Sequence, residues 1–162
     1  MLRIFLPPPN SAISTIGLVC VSAWIGFSYP AHAHAHAHAH ANAGGLVVVV
    51  DISEQQMTVF QDGEKRYNWI VSTARRGKVT PRGRWNAKWL SRHHRSSRYK
   101  GAPMPYSIFY NGNFAIHGTV QIKKLGRPAS AGCIRLHPQN AAVLFSLTKD
   151  YGLKNTIVSV VD

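Results

Sequence analysis

The sequence predicts a mostly-β domain, a sandwich or barrel carrying one helix, followed through many short strands. Three observations predict it. Short apolar and alternating runs recur across residues 46–161, and two pairs of them are joined by hairpin turn signals. Only one segment, Pro138–Tyr151, reads as a helix of several turns. No helix follows each strand, so the alternation of a dinucleotide-binding fold is absent.

The elements follow in order. Leu46–Ile52 is β-branched and apolar, the pattern of a buried strand. Gln56–Phe60 alternates, Asp62-Gly63 supplies a tight turn, and Tyr67–Ser72 returns. Gly83–Leu90 alternates around Trp85 and Trp89 and reads as one strand. Lys88–Lys100 holds five Lys/Arg, His93 and His94, and no acid, amid Ser and Gly. It reads as a long basic surface loop, either solvated or folded over an acidic substrate as a lid. Ser107–Tyr110 and Phe114–His117 flank Asn111-Gly112-Asn113, a second hairpin signal. Pro138 suits a first helical turn, Ala142, Leu144, Phe145 and Leu147 give an apolar face, and Gly152 suits the C-terminal cap. Asn155–Val161 is a last β-branched strand.

The N-terminal 43 residues are of another kind. Ser11–Phe27 is an apolar run of signal-peptide length, short for a membrane span. Ala41-Asn42-Ala43 before Gly44 fits a cleavage site, with Ala31-His32-Ala33 as a second; an uncleaved anchor is the other reading. Residues 1–43 are therefore read as signal peptide or anchor plus spacer, and 44–162 as the catalytic domain. Five His alternate with Ala across Ala31–Ala41, a tract that reads as a spacer ahead of a metal chelator. An exported chain belongs in the periplasm or cell envelope. Residues 44–162 carry 18 Lys/Arg against 6 Asp/Glu, a formal charge of +12. Such charge draws anionic partners, and export argues for the cell wall over nucleic acid. Membrane contact is expected only through an uncleaved N-terminus.

Cys133 carries the chemistry. Cys20 lies in the apolar run, so the domain owns one thiol and forms no internal disulfide. Cys133 stands in Ser130-Ala131-Gly132-Cys133-Ile134-Arg135, sixteen positions after His117. A thiol of ordinary pKa is only a few per cent ionised at neutral pH and needs a base or a positive field to act as nucleophile. His117 is the candidate general base and acid. No Asp or Glu lies between Glu64 and Asp150 to orient its ring. A backbone carbonyl, that of Gly118, is the expected substitute. The N–H groups of Gly132 and Cys133 are candidates for an oxyanion hole. In an extended Cys133-Ile134-Arg135, Arg135 shares a face with the sulfur, where it favours the thiolate and holds a substrate carboxylate. Ser130 is placed to orient the loop or the imidazole. A zinc site of Cys133, His117 and His137 lacks the usual ligand spacings, so no metal or other cofactor is expected, and His137 is assigned to the helix entry.

These residues meet a family pattern. His117-Gly118-Thr119 followed by Ser130-Ala131-Gly132-Cys133-Ile134-Arg135 resembles the signature of the L,D-transpeptidase family, with its YkuD-type catalytic domain. Val71-Ser72-Thr73-Ala74, Thr80-Pro81-Arg82-Gly83 and Ala102-Pro103-Met104-Pro105-Tyr106 add to the likeness, which covers Leu46–Val161. The resemblance implies a β-sandwich of mixed sheets with one main C-terminal helix. It implies Cys133 as nucleophile, His117 as base, and Met104 and Tyr106 on the substrate side. The implied partner is the peptidoglycan stem peptide. Acyl transfer through a thioester would join two stems (a 3→3 cross-link) or attach an envelope protein. The alternatives are a carboxypeptidase or endopeptidase on the same scaffold, and a basic wall- or metal-binding protein without turnover. Many members carry His where this chain has Ala131.

Overall fold

A computed structural model describes residues 44–162; the apolar run, both cleavage sites and the Ala-His tract lie outside the described residues. Nine strands form two sheets. β1 (Leu46–Asp51) pairs antiparallel with β2 (Gln56–Gln61), which pairs with β3 (Glu64–Ile70). Asp62 and Gly63 both take positive φ, 51° and 88°, as a two-residue hairpin turn requires. β9 (Thr156–Val161) lies parallel to β1 on its other side, and β4 (Gly83–Asn86) closes that edge antiparallel to β9. The order of this first sheet is β3-β2-β1-β9-β4. Its centre is β1, which explains why Leu46–Val50 is an almost unbroken apolar run.

The second sheet is β5 (Trp89–Arg95), β6 (Pro103–Asn111), β7 (Phe114–Gly118) and β8 (Ile134–Leu136), in that order. Only the last pair, β7 with β8, is parallel. Helix α1 (Pro138–Tyr151) packs on β6 and β7 through Ala141, Leu144 and Phe145. Gly152, at φ 84°, ends it with an N–H bond to the Thr148 carbonyl. His137 caps its start, accepting the Gln139 N–H at 3.4 Å. One core joins the layers: Val48, Val50, Met57, Val59 and Val158 from the first sheet meet Ile108, Tyr110, Ile116, Ile134 and Leu136 from the second. No helix among the described residues is long and apolar enough to cross a membrane.

Two expectations are corrected. Gly83–Leu90 is not one strand. The chain leaves the first sheet after Asn86, and the Ala87 N–H bonds the Thr156 carbonyl at 2.9 Å. The next N–H, of Lys88, bonds the Phe109 carbonyl of the second sheet at 2.7 Å. Trp85 and Trp89 thus serve different sheets. Nor is Lys88–Lys100 a long loop or a lid. Trp89–Arg95 is a paired strand, and residues 96–102 form a tight connection in which the Gly101 N–H bonds Ser96 O and the Ala102 N–H bonds Tyr99 O, both at 3.0 Å. The basic side chains hid an edge strand whose backbone is satisfied by β6; charge on an edge strand is normal.

Candidate active site

The parallel register of β7 and β8 builds the site. His117 lies opposite Arg135, and Ile116 opposite Ile134. Side chains alternate along a strand. Ile116, Ile134 and Leu136 therefore enter the core, while His117, Cys133 and Arg135 face the other side. There they line one cavity of about 570 Å³.

His117 is 6% exposed. Its Nδ1 lies 2.7 Å from the Gly118 carbonyl oxygen. A carbonyl only accepts, so Nδ1 carries the proton and Nε2 is left free to take one. Burial pushes the His117 pKa down to about 4, assisted by the charges of Arg135 and His94 and opposed by the Gly118 bond. The ring is neutral at pH 7. Gly118 itself is hemmed in: an added Cβ would stand 3.1 Å from Pro105 Cγ and 3.2 Å from Pro138 Cα.

Cys133 is half-buried, its side chain packed with Met104, Phe109 and Ala115 in a small cluster apart from the main core. Its thiol lies 3.9 Å from the Asn113 carbonyl, a weak hydrogen bond. Burial pushes the thiol pKa up, against the Ala115 N–H and the Arg135 charge, which both pull it down. Arg135 does favour the thiolate, as its position beside the sulfur suggests, but burial outweighs it. The resting pair is a thiol and a neutral imidazole.

The loop before Cys133 is tied from several sides. The N–H groups of Ala129 and Ser130 bond Thr73 O, at 2.9 and 2.8 Å. Ser72 and Arg135 exchange backbone bonds at 3.0 and 2.9 Å. Thr80 Oγ1 accepts from the Ala74 N–H and donates to Gly132 O at 2.8 Å. Gln55 braces this strap: it accepts the Thr73 N–H at 2.9 Å and donates to Thr73 Oγ1 at 2.6 Å. Buried Ser130 accepts the Gly132 N–H on Oγ at 3.0 Å. Ser130 thus orients the loop. The same bond corrects one expectation, because the Gly132 N–H is already engaged and does not face a substrate oxygen. Of the two proposed donors, Cys133 N–H remains.

Gly132 has a different role. It sits at φ 137°, and a Cβ there would lie 2.7 Å from Phe114 Cε1 and 2.9 Å from Val79 O. We predict that Gly132→Ala costs about 3 kcal/mol from clash and backbone strain together. Urea unfolding of the variant checks this; an unchanged midpoint would contradict it.

Met104 lines the cavity. Tyr106 does not, a correction. Its backbone takes φ 55°, and its ring packs against Phe145 of α1 at 5.9 Å, with Arg92 over it at 5.7 Å. His137 also lies outside the lining residues. Three residues that sequence reasoning left without a role are present: His94, Trp89 and Arg75. Trp89 stacks on Phe109 at 3.7 Å, and His94 meets both rings edge-on, forming one wall. Strand alternation could not have paired them, because Trp89 and His94 are five residues apart and share a face only where the pairing with β6 is interrupted opposite Tyr106.

The arrangement offers a nucleophile, a base of fixed tautomer and an open groove, the parts of an acyl-transfer site. A family model for the L,D-transpeptidase catalytic domain (YkuD) matches residues 45–160. Similar solved structures include an L,D-transpeptidase from Stackebrandtia nassauensis (25% identity, TM-score 0.64, 76% of this chain and 59% of that one). Another is LdtMt1 in complex with imipenem (24%, TM-score 0.64, 72% and 59%). A third is an L,D-transpeptidase from Mycobacterium smegmatis (23%, TM-score 0.64, 73% and 59%). The chain thus spans about three-fifths of the length of each. No curated protein sequence matches.

Proposed function

The chain belongs to the L,D-transpeptidase family, and from that premise we propose that it is an exported cysteine acyltransferase acting on peptidoglycan stem peptides in the cell envelope. The observation that carries the reading is the convergence of Cys133, a neutral His117 and Arg135 on one open cavity.

The proposed reaction runs in two halves. As the Cys133 sulfur approaches the donor carbonyl carbon, its proton passes to His117 Nε2. An S–C bond forms, and the C–N bond to the terminal D-alanine breaks. His117 gives its proton to the departing nitrogen, leaving a thioester. Cys133 N–H lies next to the attacked carbon and is the donor for the developing oxyanion. An acceptor amine then attacks the thioester carbon and loses a proton to His117 Nε2; the C–S bond breaks, and His117 returns that proton to the departing sulfur. The acceptor is an amine of a second stem or of an envelope protein; water gives trimming instead. Residues 44–162 act as the catalytic domain, and residues 1–43 as the export signal or anchor and its spacer. His117 works without a carboxylate partner: the Gly118 carbonyl holds its ring.

Incubation of the protein with a purified tetrapeptide stem, read by mass, tests this. A cross-linked dimer with released D-alanine is expected. Tripeptide alone would favour the hydrolase, and unchanged stem would defeat the enzymatic reading.

Two further outcomes follow from the site. Acylation by a carbapenem should fall only as pH drops through about 4, because His117 is neutral above that value and loses its lone pair below it. Stopped-flow rates against pH check this, and an acid limb near 6.5 would contradict the buried neutral ring. Arg135→Ala should slow acylation by about tenfold, the loss of one charged hydrogen-bonding partner. Lys123→Ala, exposed on the short helical turn Ile122–Lys124, should change it little. The reverse order in the same assay would undo the role given to Arg135.

A further inference from the structure

The cavity holding Cys133 and His117 is cationic, and nothing in the described chain neutralises it. Arg75, Arg98 and Arg135 line it, and no Asp or Glu does. The absence has its root in the sequence, which places no acid between Glu64 and Asp150 and hence none on β4–β8. Two ion pairs occur among the described residues, Arg66–Glu64 and Arg82–Asp162, and neither involves these arginines. Arg135 Nη1 donates to the neutral Gln121 Oε1 at 3.1 Å, and Arg75 Nη1 to the Ser130 carbonyl at 3.1 Å. Burial lowers the Arg135 pKa, and the Arg75 charge lowers it further despite the nearby thiol. Two guanidinium groups thus repel each other across a shared space. Each group carries five N–H donors and spends one of them on a partner among the described residues.

We propose that this cavity selects donor stems whose carboxylates are free, and discriminates against stems in which they are carboxamides. The inference rests on the acyl-transfer reading above and adds the chemical state of the substrate. A carboxylate has two acceptor oxygens and a charge, and pairs with guanidinium in a two-bond fork. A carboxamide carries no charge and turns an NH2 donor toward groups that only donate. A carboxylate between Arg75 and Arg135 also relieves their mutual repulsion, which a carboxamide does not. Arg98, exposed at the cavity margin, adds to the field that draws the anion in.

The test compares two synthetic tetrapeptide stems, identical except that one has its side-chain carboxylates converted to carboxamides. The full chain is given each in turn, and kcat/KM is taken from D-alanine release. Carbapenem acylation of Cys133 runs in parallel. Expected is at least about a tenfold preference for the free acid, shrinking toward unity in Arg75→Gln and with added salt. Lys65→Gln, on the distant strand β3, should leave the preference intact. Equal use of the two stems, or preference for the carboxamide, by a protein that still releases D-alanine overturns the selectivity alone. An unchanged preference in Arg75→Gln overturns the assignment to this pair. Carbapenem adduct on Cys133 with neither stem used overturns the stem-peptide reading, and this inference with it.

Discussion

Cys133→Ala protein is expected to form no covalent adduct with a carbapenem and to release no D-alanine, while keeping its fold. The sulfur shares the cavity with His117, whose Nε2 is free, and its thiol donates only to the distant Asn113 carbonyl at 3.9 Å. Ser130, the hydroxyl nearest in sequence, is buried with its oxygen bonded to the Gly132 N–H. It cannot stand in. The fold survives because Cys133 packs in the small cluster with Met104, Phe109 and Ala115, and not in the main core. Losing one sulfur from a half-buried site that opens on a groove costs about 1 kcal/mol. Intact mass after carbapenem exposure, with circular dichroism of the same sample, checks both halves. Residual adduct or turnover would remove Cys133 from the centre of the mechanism.

His117→Ala is expected to slow acylation by about three orders of magnitude, the usual scale for a lost general base. The physical reason is the state of the resting pair. Burial holds the thiol above its ordinary pKa and His117 near 4, so neither is ionised at pH 7. The proton has to leave the sulfur as it attacks, and the proposed base is His117, whose Nε2 is left free by the Nδ1 bond to the Gly118 carbonyl. Without the ring the small thiolate fraction is all that reacts. The variant should therefore regain rate as pH rises toward the thiol pKa, and it should lose the acid limb near 4. Rates of carbapenem adduct formation measured by mass across pH show both effects. Equal rates for the two proteins at pH 7 would count against the base.

The sequence carried more of the site than of its walls. Cys133, His117 and Arg135 were legible because the domain owns one thiol, a histidine stands sixteen positions before it, and an extended Cys133-Ile134-Arg135 puts the arginine on the sulfur's face; the parallel register of Ile116 with Ile134 was not. The Gly118 carbonyl was reachable by elimination, since no acid stands nearby in the chain. Helix α1 was legible to its ends, from Pro138 to Gly152, because both caps are chemical signals. The crossing at Ala87-Lys88 was not. A strand that changes sheets keeps its alternation, so Trp85 and Trp89 read as one face. β5 was lost because Arg92, His93 and Arg95 on an exposed edge imitate a loop. The Gly132–Ser130 bond depends on a loop conformation held by Thr73, Thr80 and Gln55, residues far away in sequence. Tyr106 was misplaced for a similar reason: a positive φ turns its ring toward α1.

The central claim is that the donor peptide rides on Cys133 as a thioester. Acid-quenched mixtures of the protein and a tetrapeptide stem, digested and mapped by mass spectrometry, test it most directly. The account predicts a mass gain equal to the stem minus D-alanine on the peptide containing Cys133, removed by hydroxylamine. Cross-linked or trimmed product forming with Cys133 unmodified throughout, or an adduct on another residue, would contradict it.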